Sequence, residues 1–571
     1  MTRKSVLYYI LHCKTEATIR CDEVQGDNRN QLVPCKYVYW TRMRAVRDET
    51  MLALYVLLCV LVNANVGSGA RILGIIPTPS FSHQIVFQEF WKELSLRGHK
   101  VTTMTTDPLK DPKLTNLTEI DWHFSYEIWN EGLHEAIEGS SQNPFNLIKM
   151  AVSRLQRINH KQLEHAPVQK LIKDRSVQFD LVIVENLMPA MFAFAERFKC
   201  PFIGINSFDP PFHVYQALGN PTHPVLYPDS ILPFKYPLSL TERIISVLYT
   251  LIIPLVPLFL GNHDDQLIAK HFGEGYREIG EISKDVTMLF VNTDPIFHPI
   301  RPLVPTVIQV GGGAHRSPPK PLPKELKRIL DEATRGFVYF SLGSNVKSKD
   351  LSNETRDVII ETFRELPYTV VWKFEASDLQ NKPSNVHIQK WLPQQDVLKH
   401  PNIKLFITQG GLQSTDEAIY DHVPMVGLPF FADQHRNVEK MAEMGMGLYV
   451  EPKNLRKEDL KAAISEVITN PKYKKRIIEL AALAQDQPMT GLEKAVWWTE
   501  YVIRHKGAKH LRSPLLDIPW YQYLLLDVIG VLLSFFTLLL FILYLILRLI
   551  LRIVRGVAKL FAKKPKKQKS Q

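Results

Sequence analysis

The sequence predicts an α/β fold of two doubly wound domains facing a cleft, followed by one C-terminal transmembrane helix. Three observations predict it. Short apolar runs alternate with helical patterns from residue 71 onward, the alternation starts afresh near residue 336 after a proline-rich break, and twenty uncharged residues follow at Val528 to Leu547. Runs that are apolar throughout belong to parallel strands covered by helices on both faces. A chain of 571 residues is also too long for one core.

Residues 1–50 are polar, lack periodicity and hold Cys13, Cys21 and Cys35; they read as a disordered N-terminal extension. Met51 to Val62 (MLALYVLLCVLV) is apolar and gives way to small residues ending at Ser68-Gly69-Ala70, the pattern of a signal peptide over 51–70. Its distance from residue 1 points to translation from Met43 or Met51, with an uncleaved internal anchor as the competing reading. Cleavage would leave Cys200 as the one cysteine of the mature chain, too few for an internal disulfide. Sequons at Asn116 and Asn353 agree with a luminal body.

The first domain is expected over 71–293. RILGIIP from Arg71 reads as a strand, Ser82 to Arg97 as a helix, and KVTTM, FDLVIVE (Phe179 to Glu185) and CPFIGIN as further strands, with a helix near Ala190 to Arg197. Ligands of such a sheet sit at the carboxyl ends of its strands, where the loop Pro77 to His83 falls. Arg243 to Leu260 (RIISVLYTLIIPLVPLFL) is apolar, but Pro254 and Pro257 would break a spanning helix. It is read either as a buried helix of this domain or as a surface segment resting on a bilayer. Residues 294–313, rich in proline and closed by Gly311 to Gly313, are the expected linker. The second domain, 314–515, opens with GFVYFSLGSN and continues through TVVWKF, VHI, IKLFIT, PMVGLP and MGLYV.

The formal net charge of +11 would suit a polyanion, but its distribution argues against nucleic acid. Nine Lys and Arg and no acid lie between Arg548 and the end, and the first fifty residues carry nine basic against six acidic side chains, which leaves the rest near neutrality. Val528 to Leu547 rises about 30 Å as a helix, the thickness of a hydrocarbon core. The basic tail at 548–571 marks the cytosolic side and leaves both domains luminal.

The centre of the sequence is Trp391 to Gln434, WLPQQDVLKHPNIKLFITQGGLQSTDEAIYDHVPMVGLPFFADQ. Ile403 to Thr408 reads as a strand, Gly410-Gly411 as a turn, and Gln413 to Glu417 as a helix start with capping residues and early negative charge. Free amides at such a start suit a diphosphate. Trp391 before the unit and Asp433-Gln434 after it could stack on a base and hold sugar hydroxyls. Together these residues resemble the signature of the UDP-glycosyltransferase family, in wording closest to its insect members, and Lys494 to Arg512 is similar to the family helix that crosses back to the first domain. The resemblance implies the GT-B architecture of two Rossmann-like domains. It also implies a UDP-sugar co-substrate and a lipophilic acceptor; no cluster with metal-ligand spacing stands out in the sequence, so a reaction without metal or further cofactor is expected. On the family pattern Trp391 stacks on uracil and Gln394 and Glu417 bind the ribose side. Ser344, Gly410, Gly411, Gln413 and Ser414 meet the diphosphate, and Asp433 and Gln434 hold the sugar. Lys567 and Lys569 resemble a dilysine retrieval signal of the endoplasmic reticulum.

The reaction needs a base for the acceptor hydroxyl, and histidine is the side chain most readily poised near neutrality. His83 is either a solvated loop residue or, as the resemblance implies, that base, paired with a carboxylate at the end of the FDLVIV strand. That carboxylate is Glu185, where vertebrate relatives have Asp; a structural salt bridge is its plainer role. Gln409 stands where vertebrate relatives carry a histidine before the glycine pair, and it cannot bring a positive charge to the diphosphate. Two functions follow. The first is an inverting transferase of a hexose, with glucose favoured over glucuronic acid. The second is a membrane protein that binds a UDP-sugar or a partner and has lost turnover. Acceptor identity and homo-oligomeric state are not legible.

Overall fold

The computed structural model describes residues 69–131, 144–232, 234, 237–255, 262–430 and 433–561. The expected N-terminal extension, all but the last two residues of the expected signal peptide, the dilysine pair and residues 256–260 of the apolar segment lie outside the described residues.

The first sheet contains β1 (Arg71–Ile76), β2 (Lys100–Thr105), β3 (Leu117–Asp121), β4 (Leu181–Glu185), β5 (Phe202–Asn206), β6 (Val286–Val291) and β7 (Val307–Gln309), in the spatial order β3-β2-β1-β4-β5-β6-β7. The second contains β8 (Phe337–Ser341), β9 (Thr369–Lys373), β10 (Val386–Gln389), β11 (Ile403–Thr408), β12 (Met425–Gly427) and β13 (Gly447–Tyr449), ordered β10-β9-β8-β11-β12-β13. Every pairing is parallel. The central strands β4, β5 and β8 are buried at every position, as the uninterrupted apolar runs require. In both sheets the strand order reverses between the first and fourth strands, which opens a crevice at their carboxyl ends.

Six helices matter to the site and its surroundings: α1 (Phe81–Leu96), α2 (Leu240–Ile252), α3 (Leu412–Tyr420), α4 (Gln434–Glu443), α5 (Gly491–His505) and α6 (Leu526–Phe561). Ala495, Val496 and Val502 of α5 pack in one cluster with Ile72 of β1 and Phe87, Phe90 and Trp91 of α1, so the chain returns to the first sheet after completing the second. Helix α6 is 36 residues long, wholly exposed, and the one helix among the described residues long and apolar enough to cross a membrane.

Three expectations change, and one choice between two readings, that of the apolar segment from Arg243, is decided. His83 is not in a loop but is the third residue of α1, because the chain turns helical directly after Ser80. Helix α3 begins at Leu412 with Gly411 as its N-cap, without a side-chain cap and without an acid in its first turn; Asp416 and Glu417 lie further along and are buried. The proline-rich stretch expected as linker ends in β7, which pairs with β6, so the chain leaves the first sheet only after Gln309. Helix α2 is not buried: among its residues only Ser246 is, and its apolar side chains face outward.

Candidate functional site

The two crevices face each other across a cavity of about 710 Å³, the size of a small-molecule site. The first-lobe wall is built by the turn from β1 into α1. Gln84, buried on α1, donates to the carbonyls of Ile76 (3.1 Å) and Thr78 (2.7 Å) and accepts from Thr105 Oγ1 (2.6 Å), which fixes this turn. The turn aims His83 across the switch point at Glu185, the last residue of β4. His83 Nδ1 lies 2.6 Å from Glu185 Oε1 and 2.9 Å from Ser207 Oγ after β5. The Thr78 hydroxyl donates to Glu185 Oε2 at 2.6 Å, with the Thr78 N–H at 3.4 Å. Glu185 is fully buried, and both its oxygens are engaged. A carboxylate accepting from Nδ1–H leaves Nε2 as the acceptor nitrogen of the neutral ring.

The second-lobe wall is made at the matching place. After β11 the chain passes through Gly410 at φ +85°, where a Cβ would meet Val438 Cγ2 at 2.2 Å. The Asn437 amide of α4 donates to the Gly410 carbonyl at 3.0 Å. Gly343 after β8 has φ +74°, and a Cβ there would meet Gln409 Nε2 at 2.1 Å. A side chain at Gly343 would intrude on Gln409 in the cavity wall, and one at Gly410 would collide with Val438 behind the turn, so close approach explains both glycines. With no acid or side-chain cap in its first turn, α3 presents bare amide N–H groups and the positive end of its dipole.

Polar side chains line the cavity behind this helix start. Gln394 Nε2 donates to Glu417 Oε2 (2.7 Å) and to Ser414 Oγ (2.9 Å), and Gln395 Nε2 donates to Glu417 Oε1 (3.0 Å). Trp391 is half exposed and meets the Phe81 ring of the other lobe edge-on, with centroids 5.1 Å apart. Two further bridges join the lobes: the Gln413 amide donates to the Ser207 carbonyl at 3.0 Å, and the Asn345 amide to Ser80 Oγ at 3.1 Å. Asp433 Oδ2 accepts from Asn437 at 2.9 Å. Desolvation by the surrounding walls raises the Asp433 carboxyl above its ordinary range even though the group opens onto the cavity.

Of the thirteen residues singled out in the sequence, His83, Ser344, Trp391, Gln394, Gln409, Gly411, Gln413, Ser414, Glu417, Asp433 and Gln434 line this one cavity. Glu185 stands behind His83, and Gly410 lies behind the glycine turn against Val438 and Asn437. Sequence reasoning missed four residues of the site. Thr78 and Ser207 are polar residues just beyond β1 and β5, a position that could have flagged them. Lys373 ends β9, donates to the Gly343 carbonyl at 2.8 Å and sits 5.5 Å from the Trp391 ring centroid; a lysine closing a central strand was a readable sign. His315 gave none. It is buried, with Nε2 3.4 Å from Glu417 Oε1, although neither ring nitrogen makes an aligned hydrogen bond. Desolvation pulls its pKa down, but the Glu417 and Asp416 carboxylates outweigh that and hold it above the usual range.

A family model described as UDP-glucoronosyl and UDP-glucosyl transferase matches residues 71–563. The chain belongs to the UDP-glycosyltransferase family. The UDP-glucosyltransferase 2 of Dactylopius coccus is 36% identical over 499 residues, covering 86% of this chain and 95% of that protein. The ecdysteroid UDP-glucosyltransferase of Spodoptera littoralis nuclear polyhedrosis virus is 34% identical over 84% of this chain and 96% of its own. Human UDP-glucuronosyltransferase 2B15 is 32% identical over 84% and 92%. Among solved structures, TcCGT1 in complex with UDP superposes with a TM-score of 0.52 at 15% identity, over 77% of this chain and all of that one. The glycotransferase of kitacinnamycin superposes with a TM-score of 0.51 at 18% identity, over 76% and 99%. These likenesses show the GT-B fold. The activity of this UDP-glycosyltransferase is transfer of a sugar from a UDP-sugar donor.

Proposed function

We propose that this UDP-glycosyltransferase moves a hexose, glucose first among the candidates, from its UDP donor to a hydroxyl of a small lipophilic acceptor, with inversion and with His83 as general base. One observation carries the reading: the Nδ1 of His83 is committed to a buried carboxylate at 2.6 Å while the ring lines the cavity that also holds the amide-bearing start of α3. His83 Nε2 takes the acceptor's proton, the acceptor oxygen bonds to the anomeric carbon from the face opposite the diphosphate, and the bond to the phosphate oxygen breaks with its electron pair leaving on UDP. Glu185 holds the ring in that tautomer and favours the imidazolium that forms. The amides of Gly411 and the first turn of α3, with Ser344, Gln409, Gln413 and Ser414, meet the charge on the leaving diphosphate. Trp391 offers the uracil its face, Gln394 and Glu417 the ribose, and Asp433 and Gln434 the hexose.

Two relatives named as glucosyltransferases support glucose, and the ecdysteroid in one of those names supports a lipophilic hydroxyl acceptor. Residues 71–293 are proposed as the acceptor-binding domain and 314–515 as the donor-binding domain, with α6 anchoring them on the luminal side of the endoplasmic reticulum membrane. The test is UDP release with several UDP-sugars and a phenolic acceptor, using wild type and His83→Ala, with the product's anomeric configuration read by NMR. Conjugate from wild type alone, inverted at C1, supports the reading. Donor binding without conjugate in both proteins would instead establish a binding protein that has lost turnover.

A further inference from the structure

Helix α2 is built inside out. Its N-terminus is closed by a capping box, Ser239 accepting from the Glu242 N–H while Glu242 accepts from the Ser239 N–H, so it is a fixed helix and not a frayed end. At 100° per residue, Leu240, Ile244, Val247, Leu248 and Leu251 fall on one face, flanked by Ile245 and Ile252, and all seven are exposed. The opposite face is the polar one, and it is the one that touches the protein: Ser246 is buried and donates to the Pro224 carbonyl, and Tyr249 lies beside Phe212. A helix facing water would carry the reverse pattern, and an apolar patch of this extent marks a contact surface.

The position of α2 identifies what covers that face. The loop that receives Ser246 begins at Gly219, whose carbonyl accepts from Ser513 Oγ at 2.8 Å and where a Cβ would meet Leu516 Cγ at 2.9 Å. Ser513 and Leu516 immediately precede the exposed Trp520, Tyr521 and Tyr523, and these precede α6. Aromatic residues at the mouth of a spanning helix mark the membrane interface. One short path of contacts therefore runs from the inward face of α2, through residues 219–224, to the segment just before the chain enters the bilayer, which places α2 beside that point with its apolar face outward. Ile231, a few residues before α2, is itself exposed and lines the cavity that holds His83.

We infer that α2 lies in the membrane interface with its apolar face among the lipid chains, and that the acceptor reaches the cavity from the bilayer past Ile231. The inference rests on the anchoring and the acceptor class given under Proposed function. The occupant is lipid, and a second copy of this chain is the rival that the test separates.

The experiment uses the full chain reconstituted in phosphatidylcholine vesicles. Leu248→Cys carries an environment-sensitive fluorophore, and lipids bearing a nitroxide on the acyl chain act as quencher; the unsubstituted protein labelled at its native cysteines supplies the background. Blue-shifted emission quenched by the nitroxide lipid, unchanged as the protein-to-lipid ratio falls, supports the inference. Water-like emission, or shielding that disappears on dilution into excess lipid, overturns it. The second arm is Leu248→Glu with Leu251→Glu. The KM for a strongly lipophilic phenol, measured in vesicles, is expected to rise by roughly fivefold to tenfold, with kcat and the KM for a water-soluble phenol within about twofold of wild type. Equal KM values for the lipophilic phenol in both proteins would also overturn it. The fluorescence readout involves no turnover, so a failure of the proposed reaction would show in the kinetics while leaving the depth of α2 measurable.

Discussion

The two lobes repeat one topology and use it for opposite purposes. In each, the crevice lies between the first and fourth strands, at their carboxyl ends. In the first lobe it is filled with side chains: β1 delivers Thr78 and, one turn later, His83, and β4 delivers Glu185, all held by short hydrogen bonds. In the second lobe the turns themselves are kept bare: Gly343 and Gly410 adopt left-handed conformations where a Cβ would collide, and α3 starts without a cap, with polar side chains standing around them. A proton transfer needs a positioned side chain, whereas a diphosphate is held by backbone amides that a side chain would obstruct.

Breaking the first-lobe side of the comparison is expected to have the largest effect. His83→Ala should lower kcat by about 10²–10⁴-fold while UDP affinity, measured by calorimetry, changes little. Glu185→Gln removes the charge that orients the ring and should act in the same direction. If His83→Ala instead weakened UDP binding and left turnover intact, the division of labour between the lobes would be wrong. On the second-lobe side, Gly410→Ala forces a side chain into a left-handed position against Val438 and should cost about 1–3 kcal/mol, seen as a lowered Tm together with lost donor binding. Trp391→Ala should raise the donor's KM roughly tenfold, on the scale of one lost base stack, with a kcat close to wild type.

The same contrast explains what could be read from the sequence. The strands were legible because both faces of each are covered, which leaves an unbroken apolar run such as LVIVE or FVYFS. Strands β3, β6 and β7 were not picked out, and LTEID shows why for β3: an outermost strand with no buried residue keeps polar side chains and loses the pattern. Most of the second-lobe wall was legible because its lining residues from Trp391 to Ser414, with Glu417, Asp433 and Gln434, fall in one stretch, whereas Ser344, Lys373 and His315 come from elsewhere in the chain. The His83 and Glu185 pair spans 102 positions, so only the parallel alignment of β1 with β4 could bring it together, and the family resemblance supplied that alignment in advance. His315 and the outward face of α2 had no local sign. The first is placed by packing around Glu417, and the second depends on what surrounds the protein.

The buried carboxylates also differ in how they are satisfied: Glu417 of the second lobe, like Glu185 of the first, has a partner on each oxygen, and Asp416 does not. Both oxygens of Glu185 have partners, but Oδ2 of Asp416 has none, and burial pushes the Asp416 carboxyl up to about 7. An unfolded aspartate ionises near 4. Between these values the folded chain holds the extra proton, so stability from this group is full below about pH 4, falls as pH rises through 7 and is level above. Asp416→Asn should therefore raise Tm relative to wild type at pH 8, on the order of 1–2 kcal/mol, with the gain shrinking toward pH 5. A constant difference across pH would mean that Asp416 is ionised throughout.

The smallest expected effect sharpens the comparison most, because it asks whether a bare backbone suffices in the second lobe. Gln409 lines the cavity beside Gly343, and its carbonyl oxygen accepts from Thr408 Oγ1 at 3.2 Å. An amide offers the diphosphate a neutral donor, and a charged donor in its place is worth roughly 1 kcal/mol more. Gln409→His should therefore raise kcat by about fivefold at pH 6, where an imidazole is largely protonated, and the gain should fade above about pH 7. The ring is close to glutamine in size, so little repacking against Gly343 and Gly411 is required. If kcat at pH 6 were unchanged, the amides of α3 would already supply the stabilisation that the leaving group needs, and the glutamine would carry no cost. A loss of activity at every pH would instead mean that the Gln409 carboxamide makes a hydrogen bond to the donor that an imidazole cannot reproduce.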